Sequence, residues 1–212
     1  MTESAILKNI IALDYSFQPK QLPFREKQYQ KIISLINRFE NGKDGINILV
    51  YGFPDIGKSH AVKSIIQDYE EKRPNIFIIY VDCWSKNTSH KIISEICDIM
   101  NYKKSNKSFD TVKNLLRKKP AIFIFGEIEH LMDFEILDMI NKNIDKKLLL
   151  LITDHKQFFD DNLKSMLKIK NVEFKPYNLN EIKGVFKQRI DFALYPNVLD
   201  NGAFELITKK II

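Results

Sequence analysis

The stretch "NILVYGFPDIGKSHAVKSII", residues 47 to 66, decides the reading of this chain. Its centre, Gly52-Phe53-Pro54-Asp55-Ile56-Gly57-Lys58-Ser59, fits the phosphate-binding pattern G-x-x-x-x-G-K-[ST] at every fixed position. Such a loop works because backbone N–H groups of a glycine-containing turn and of the following helix converge on an anion. The lysine reaches the outer phosphates and the Ser or Thr hydroxyl holds Mg²⁺. The pattern demands a strand before it and a helix after it. The apolar run 46–51 predicts the strand, and residues 58–72 predict the helix. Lys58 and Ser59 are therefore the phosphate and magnesium residues. With Gly52, Phe53, Pro54, Asp55, Ile56, Gly57 and His60 they form a candidate site for ATP or ADP with a weakly held Mg²⁺.

Asp55 is out of place in a loop that should wrap an anion. A carboxylate about 5 Å from a phosphate repels it by about 1 to 3 kcal/mol at the effective dielectric of a partly solvated site. That weakens binding without abolishing it, provided the side chain turns to solvent. Asp also tolerates positive φ better than most residues with a Cβ.

Working outward, apolar runs at 46–51, 76–82, 121–126, 147–153 and 172–177 alternate with helix-like segments. Continuous Ile, Leu, Val and Phe runs without polar alternation predict strands buried on both faces of a parallel sheet, with helices covering both sides. Among the helices, 25–41 carries a stripe of Tyr29, Ile32, Ile33, Ile36 and Phe39, and 89–100 carries Ile92, Ile93, Ile96 and Met100. Residues 178–194 open with Asn178 and Glu181 at capping-box spacing and turn Ile182, Val185, Phe186 and Ile190 inward. Lysine-rich "NYKKSNKS", 101–108, reads as a loop.

Composition bounds the rest. With 212 residues, 44% hydrophobic and 28% charged, the chain is long enough for one substantial core. No apolar run approaches the roughly 20 residues of a membrane span, and the N-terminus lacks the features of a secretory signal. A cytoplasmic location is expected, or a nuclear one in a eukaryote, without membrane contact. Cys83 and Cys97 make neither a disulfide framework nor a metal cluster and read as buried thiols. The net charge of +6 comes almost wholly from lysine, since Arg25, Arg38, Arg73, Arg117 and Arg189 are the five arginines. Lysine attracts phosphate as a point charge, so such a surface favours backbone contact over base reading.

A strand ending in acids is the expected counterpart of the phosphate loop. The run "AIFIFGEIEHL" supplies the strand, but Gly126 stands where a metal-orienting Asp is expected. Glu127 follows as a candidate general base on an attacking water, and Glu129 lies two residues on. Metal holding then rests on Ser59 and the phosphates. Trp84, His60, His90 and His130 read as packing or surface residues.

Together, "PKQLPFREKQYQKI" (19–32), the phosphate loop, "IYVDCWSKNTSHKIISEI" (79–96), "IFIFGEIEHL" (122–131), "LITDHKQFFDDNLKSML" (151–167) and "VEFKPYNLNEI" (172–182) resemble the AAA+ initiator ATPases of the origin recognition complex and its archaeal counterparts. The resemblance implies a P-loop NTPase of the AAA+ class. Its fold would be an α/β base with a five-stranded parallel sheet flanked by helices, plus a partial helical lid. The implied boundaries are an N-terminal segment at 1–18, the base at 19–177 and the lid at 178–212. It also implies Leu22, Pro23 and Arg25 near the adenine, Lys58 and Ser59 at the phosphates, Glu127 at the attacking water, and a sensor position at Thr153. This sequence departs from the family at Gly126, at Asp55 in place of a loop glycine, at Thr153 in place of a sensor Asn, and at Asn162 in place of the arginine that reaches a neighbouring subunit's ATP. The chain also ends at Ile212, ahead of the lid's sensor arginine and the family's winged helix.

An arginine finger is worth ~10³ to 10⁵ in rate where a system depends on one. The expected function is thus an ATP-binding, initiator-like protein of replication-origin recognition with little or no hydrolysis. Its expected partners are other initiator subunits or further copies of itself, and DNA. The alternatives are an active ATPase of another role, such as a transposition helper or signalling switch, or a scaffold that binds no nucleotide. A small-molecule kinase fits less well, because it would clamp a second phosphate with clustered arginines.

Overall fold

The structure is a computed structural model that describes residues 6–14, 17, 19, 22–42, 46–73, 75–117, 119–155, 159 and 161–210, with only the backbone of 161–163. These residues group into two units. One is 27–175; the other joins the described residues of 1–26 to those of 176–212.

The larger unit is built on five strands, β1 (Asn47–Gly52), β2 (Phe77–Asp82), β3 (Ala121–Gly126), β4 (Lys147–Thr153) and β5 (Ile169–Phe174). They form a parallel sheet in the order β2-β3-β4-β1-β5. Their sequences follow from their places. The inner strands β3, β4 and β1 are buried almost throughout, so every side chain sits against an apolar layer and no polar alternation survives. Edge strand β5 does alternate, burying Val172 and Phe174 while exposing Lys170, Asn171 and Glu173. It lies three residues earlier than the expected 172–177. Pairing with β1 fixes its register from Asn47↔Ile169 to Gly52↔Phe174, and Pro176, which has no N–H to donate, follows its end.

Helix α1 (Glu26–Glu40) precedes β1, and helices α2 (Lys58–Lys72), α3 (Ser89–Ile99), α4 (Phe109–Leu116), α5 (Glu135–Asn143) and α6 (Asp161–Met166) connect the strands. The α2 limits match the expected 58–72. In α1 the buried residues are Ile32, Leu35 and Ile36; in α3 they include Ile92, Ile96 and Cys97, with Ile93 and Met100 partly buried against the same core. Thr88 and Ser108 cap α3 and α4 by accepting from the N–H of Lys91 and Thr111. The lysine-rich 101–108 stretch is the non-helical link between them. Phe123, Phe125 and Phe159 are among the largest fully buried side chains of the core, and Cys83 and Cys97 are buried free thiols. None of the described helices is long and apolar enough to cross a membrane.

The smaller unit contains α7 (Leu179–Ala193), α8 (Asn201–Lys210) and an N-terminal 3-10 turn at Ile10–Leu13. Asn178 and Glu181 form the capping box reciprocally. The N-terminal strand of chain is tied to the far end of α7, where Lys8 and Asn9 donate to the Ala193 carbonyl at 2.8 and 3.0 Å and Arg189 Nε donates to the Ala12 carbonyl at 2.8 Å. Phe186 stacks on Phe204 at 5.2 Å between centroids, joining α7 to α8. The Pro23-Phe24-Arg25 turn belongs to this unit as well: a Cβ on Gly184 would lie 2.5 Å from the Phe24 ring, so the glycine leaves room for it. The described residues of 1–18 and of 19–26, divided in the sequence reading, thus both group with those of 176–212.

Candidate functional site

The phosphate loop lies between β1 and α2, and two glycines shape it. A Cβ at Gly52 would come within 2.1 Å of the Phe174 carbonyl oxygen, so only glycine lets β1 leave the sheet so close to β5. Gly57 adopts φ 86° as the residue ahead of α2 and brings no side-chain cap. The first N–H groups of α2 therefore have no side-chain acceptor from Gly57, as an anion site at a helix start requires. Asp55 also takes a left-handed conformation, φ 58°, which Asp accommodates without glycine. Its side chain is exposed, as are Phe53 and Pro54, whereas Ile56, Ser59 and His60 are half-buried.

Lys58 is only 5% exposed and folds back into the loop. Its Nζ donates to the Phe53 carbonyl at 2.6 Å and meets Asp154 Oδ1 at 2.7 Å. Asp154 directly follows β4, and its backbone N–H donates to Glu129 Oε1 at 3.1 Å. The other oxygen, Glu129 Oε2, is buried with no hydrogen-bond partner among the described residues. Thr153, the sensor position in the sequence reading, is 1% exposed, and its Oγ1 accepts from the His155 N–H at 3.2 Å. The β4 end reaches the lysine through Asp154 and not through Thr153. The signal was present in the sequence as an acid immediately after the strand.

At the end of β3, Glu127 has φ 53° and a half-exposed side chain 4.0 Å from His130 Nε2. His130 in turn meets the exposed Trp84 edge-on at 4.3 Å. Gly126 is explained by the neighbouring strand. A Cβ there would stand 2.6 Å from Tyr80 Oη, so the tyrosine hydroxyl fills the space that a side chain at 126 needs. Burial above all, then the Asp82 and Glu127 carboxylates, push the Tyr80 phenol up to about 12, which keeps it neutral. No group of three or more His, Cys, Asp or Glu side chains among the described residues is arranged to hold a metal ion.

Leu22, Pro23 and Arg25 lie in the smaller unit. Arg25 is 5% exposed with its guanidinium 3.8 Å above the Tyr177 ring, and Tyr177 Oη donates to the Pro23 carbonyl at 3.2 Å. Burial raises the Tyr177 phenol, and the Arg25 charge opposes that shift. The two segments that carried the sequence resemblance, 19–32 and 172–182, are thus bound to each other here. Asn162 falls among the residues whose side chains are not described.

Residues 43–163, more than half of the chain, match the AAA domain family. The chain therefore belongs to that family. It is similar to the ORC1-type DNA replication protein 1 of Sulfurisphaera tokodaii, 25% identical over 226 residues that cover 97% of this chain and 57% of that protein. In fold it is similar to the Aeropyrum pernix ORC1 protein in complex with DNA, with TM-score 0.81, 20% identity and coverage of 97% of this chain and 59% of that one. The Aeropyrum pernix ORC2 protein, solved as ADPNP-ADP complexes, superposes with TM-score 0.78, 16% identity and coverage of 96% and 61%. The chain thus spans a little over half the length of these relatives.

Proposed function

We propose that this chain is a replication-initiator-like AAA+ protein, which binds ATP or ADP at the loop 52–60 and uses it as an assembly ligand with little or no hydrolysis. The observation that carries the reading is the pairing of a fully shaped phosphate loop with a β3 end that offers no acid at Gly126, where Tyr80 takes up the room. A phosphate fits the loop amides and Lys58. A magnesium ion fits thinly, since Ser59 would hold it together with phosphate oxygens and, among the described residues, no carboxylate cluster stands ready. The ion would neutralise phosphate charge. Glu127, the acid that could take a proton from an attacking water, is half-exposed with its carboxylate 4.0 Å from His130 Nε2, so in a weakly hydrolysing protein it would be a base without a metal-orienting acid beside it.

The relatives' names suggest the setting. A surface with net charge +6, mostly lysine, suits DNA backbone contact and subunit assembly around nucleic acid. One observation favours the competing scaffold reading: the Lys58 ammonium already has two acceptors.

The test is equilibrium titration with a fluorescent ATP analogue, with Mg²⁺ and with chelator, on the natural protein and on Lys58→Ala. Saturable binding abolished by Lys58→Ala supports the nucleotide reading. Absence of binding in both proteins supports the scaffold. Continuous phosphate release at the rate of an ordinary ATPase overturns the claim of weak hydrolysis.

A further inference from the structure

Lys58 combines burial with two acceptors supplied by the protein itself. A buried ammonium needs a partner, because leaving it unpaired carries the full desolvation penalty. The partner it takes is informative. The Phe53 carbonyl belongs to the loop, but Asp154 comes from the end of a different strand, and its contact at 2.7 Å has the length of a charge-assisted hydrogen bond. We propose that Asp154 is an internal stand-in for phosphate: without nucleotide its carboxylate occupies Lys58, and a nucleoside polyphosphate binds by displacing it. This deepens the nucleotide-binding reading and rests on it.

Three features suit Asp154 to that role. Its side chain is 30% exposed against 5% for Lys58, so water re-solvates the carboxylate on release. Its backbone is pinned on both sides, by its own N–H to Glu129 Oε1 and by the His155 N–H to Thr153 Oγ1, so only the side chain has to turn. It also competes with phosphate for a single cation. A ligand with several negative charges, which also collects the loop amides, wins that competition more readily than a singly charged one. Glu129 is the positioning residue that holds the Asp154 backbone in reach.

Asp154→Asn keeps the shape and one acceptor while removing the charge. The expected result is a paired change of opposite sign. The thermal midpoint without nucleotide falls, because Lys58 loses its counter-ion, while affinity for the ATP analogue rises by roughly tenfold, about one charge-assisted hydrogen bond. A residue that merely supports the fold would lower both. Unchanged or weaker affinity in Asp154→Asn, with Lys58→Ala still abolishing binding, overturns the stand-in and leaves the nucleotide reading intact. No binding by the natural protein or by Asp154→Asn overturns both. A second readout needs no variant: the Asp154 side-chain carboxyl ¹³C resonance of the natural protein is expected to shift on saturation with the ATP analogue. A resonance that stays in place while the ligand is bound contradicts the proposal.

Discussion

Gly126 and Tyr80 occupy one volume, and the steric argument predicts coupled mutational behaviour. Gly126→Ala brings a methyl to 2.6 Å from Tyr80 Oη and is expected to destabilise by about 1 to 3 kcal/mol, as overpacking does. Tyr80→Phe removes the clashing oxygen, so the cost of Gly126→Ala should shrink in that background; urea unfolding of the two single variants and the double variant measures the coupling. Additive costs would contradict the shared volume. The missing acid at 126 was legible in sequence, because a strand ending in Gly-Glu is visible along the chain. The residue filling the gap was not, since Tyr80 arrives from β2 through sheet pairing that local sequence does not encode. Asp154 was missed for a related reason. An apolar run shows where a strand ends, but which of two adjacent polar residues turns toward a lysine depends on the backbone after the strand.

Asn47 shows how the elements are joined. It opens β1 at 2% exposure, donates from Nδ2 to the Leu167 carbonyl at 2.6 Å and accepts the Leu149 N–H on Oδ1 at 2.8 Å. One side chain thereby stitches the start of β1 to β4 and to the turn before β5. Asn47→Ala leaves a buried donor and a buried acceptor unsatisfied and is expected to cost about 2 to 4 kcal/mol in denaturant unfolding. At the start of α7, Asn178→Ala removes the cap from two N–H groups and should cost about 1 kcal/mol. That cap could be read directly from Asn178 and Glu181, because capping depends on residues three apart. The β5 limits could not, since an edge strand's register is set by its partner β1, and the run "VEFKPY" looks equally extended past its true end.

Buried weak acids make the larger unit sensitive to alkaline pH. Burial, and then the Asp82, Glu129 and Glu127 carboxylates, push the Cys83 thiol from 9.0 up to about 12, beside Tyr80 raised from 10.0 to about 12. Both groups are neutral when protonated and resist ionising in the folded state. Their contribution is complete below the unfolded values near 9 and 10 and is lost as pH rises toward 12. Thermal midpoints should therefore hold up to about pH 9 and fall progressively above it. Disulfide exchange reagents at pH 8 should find neither thiol quickly in the native protein and both after denaturation. The α/β class and the parallel character of the sheet followed from uninterrupted apolar runs. The strand order β2-β3-β4-β1-β5 is set by long-range pairing that those runs do not contain. The same limit applies to the proposed activity, since the loop at 52–59 announces phosphate binding while the contacts of Gly126 with Tyr80 and of Lys58 with Asp154 are made between different strands and loops. The decisive measurement is the identity of the nucleotide recovered from protein saturated with Mg²⁺-ATP and held for hours before denaturation. Intact ATP, retained in stoichiometric amount, is the predicted result; recovery of ADP with released phosphate, or of no nucleotide at all, would contradict it.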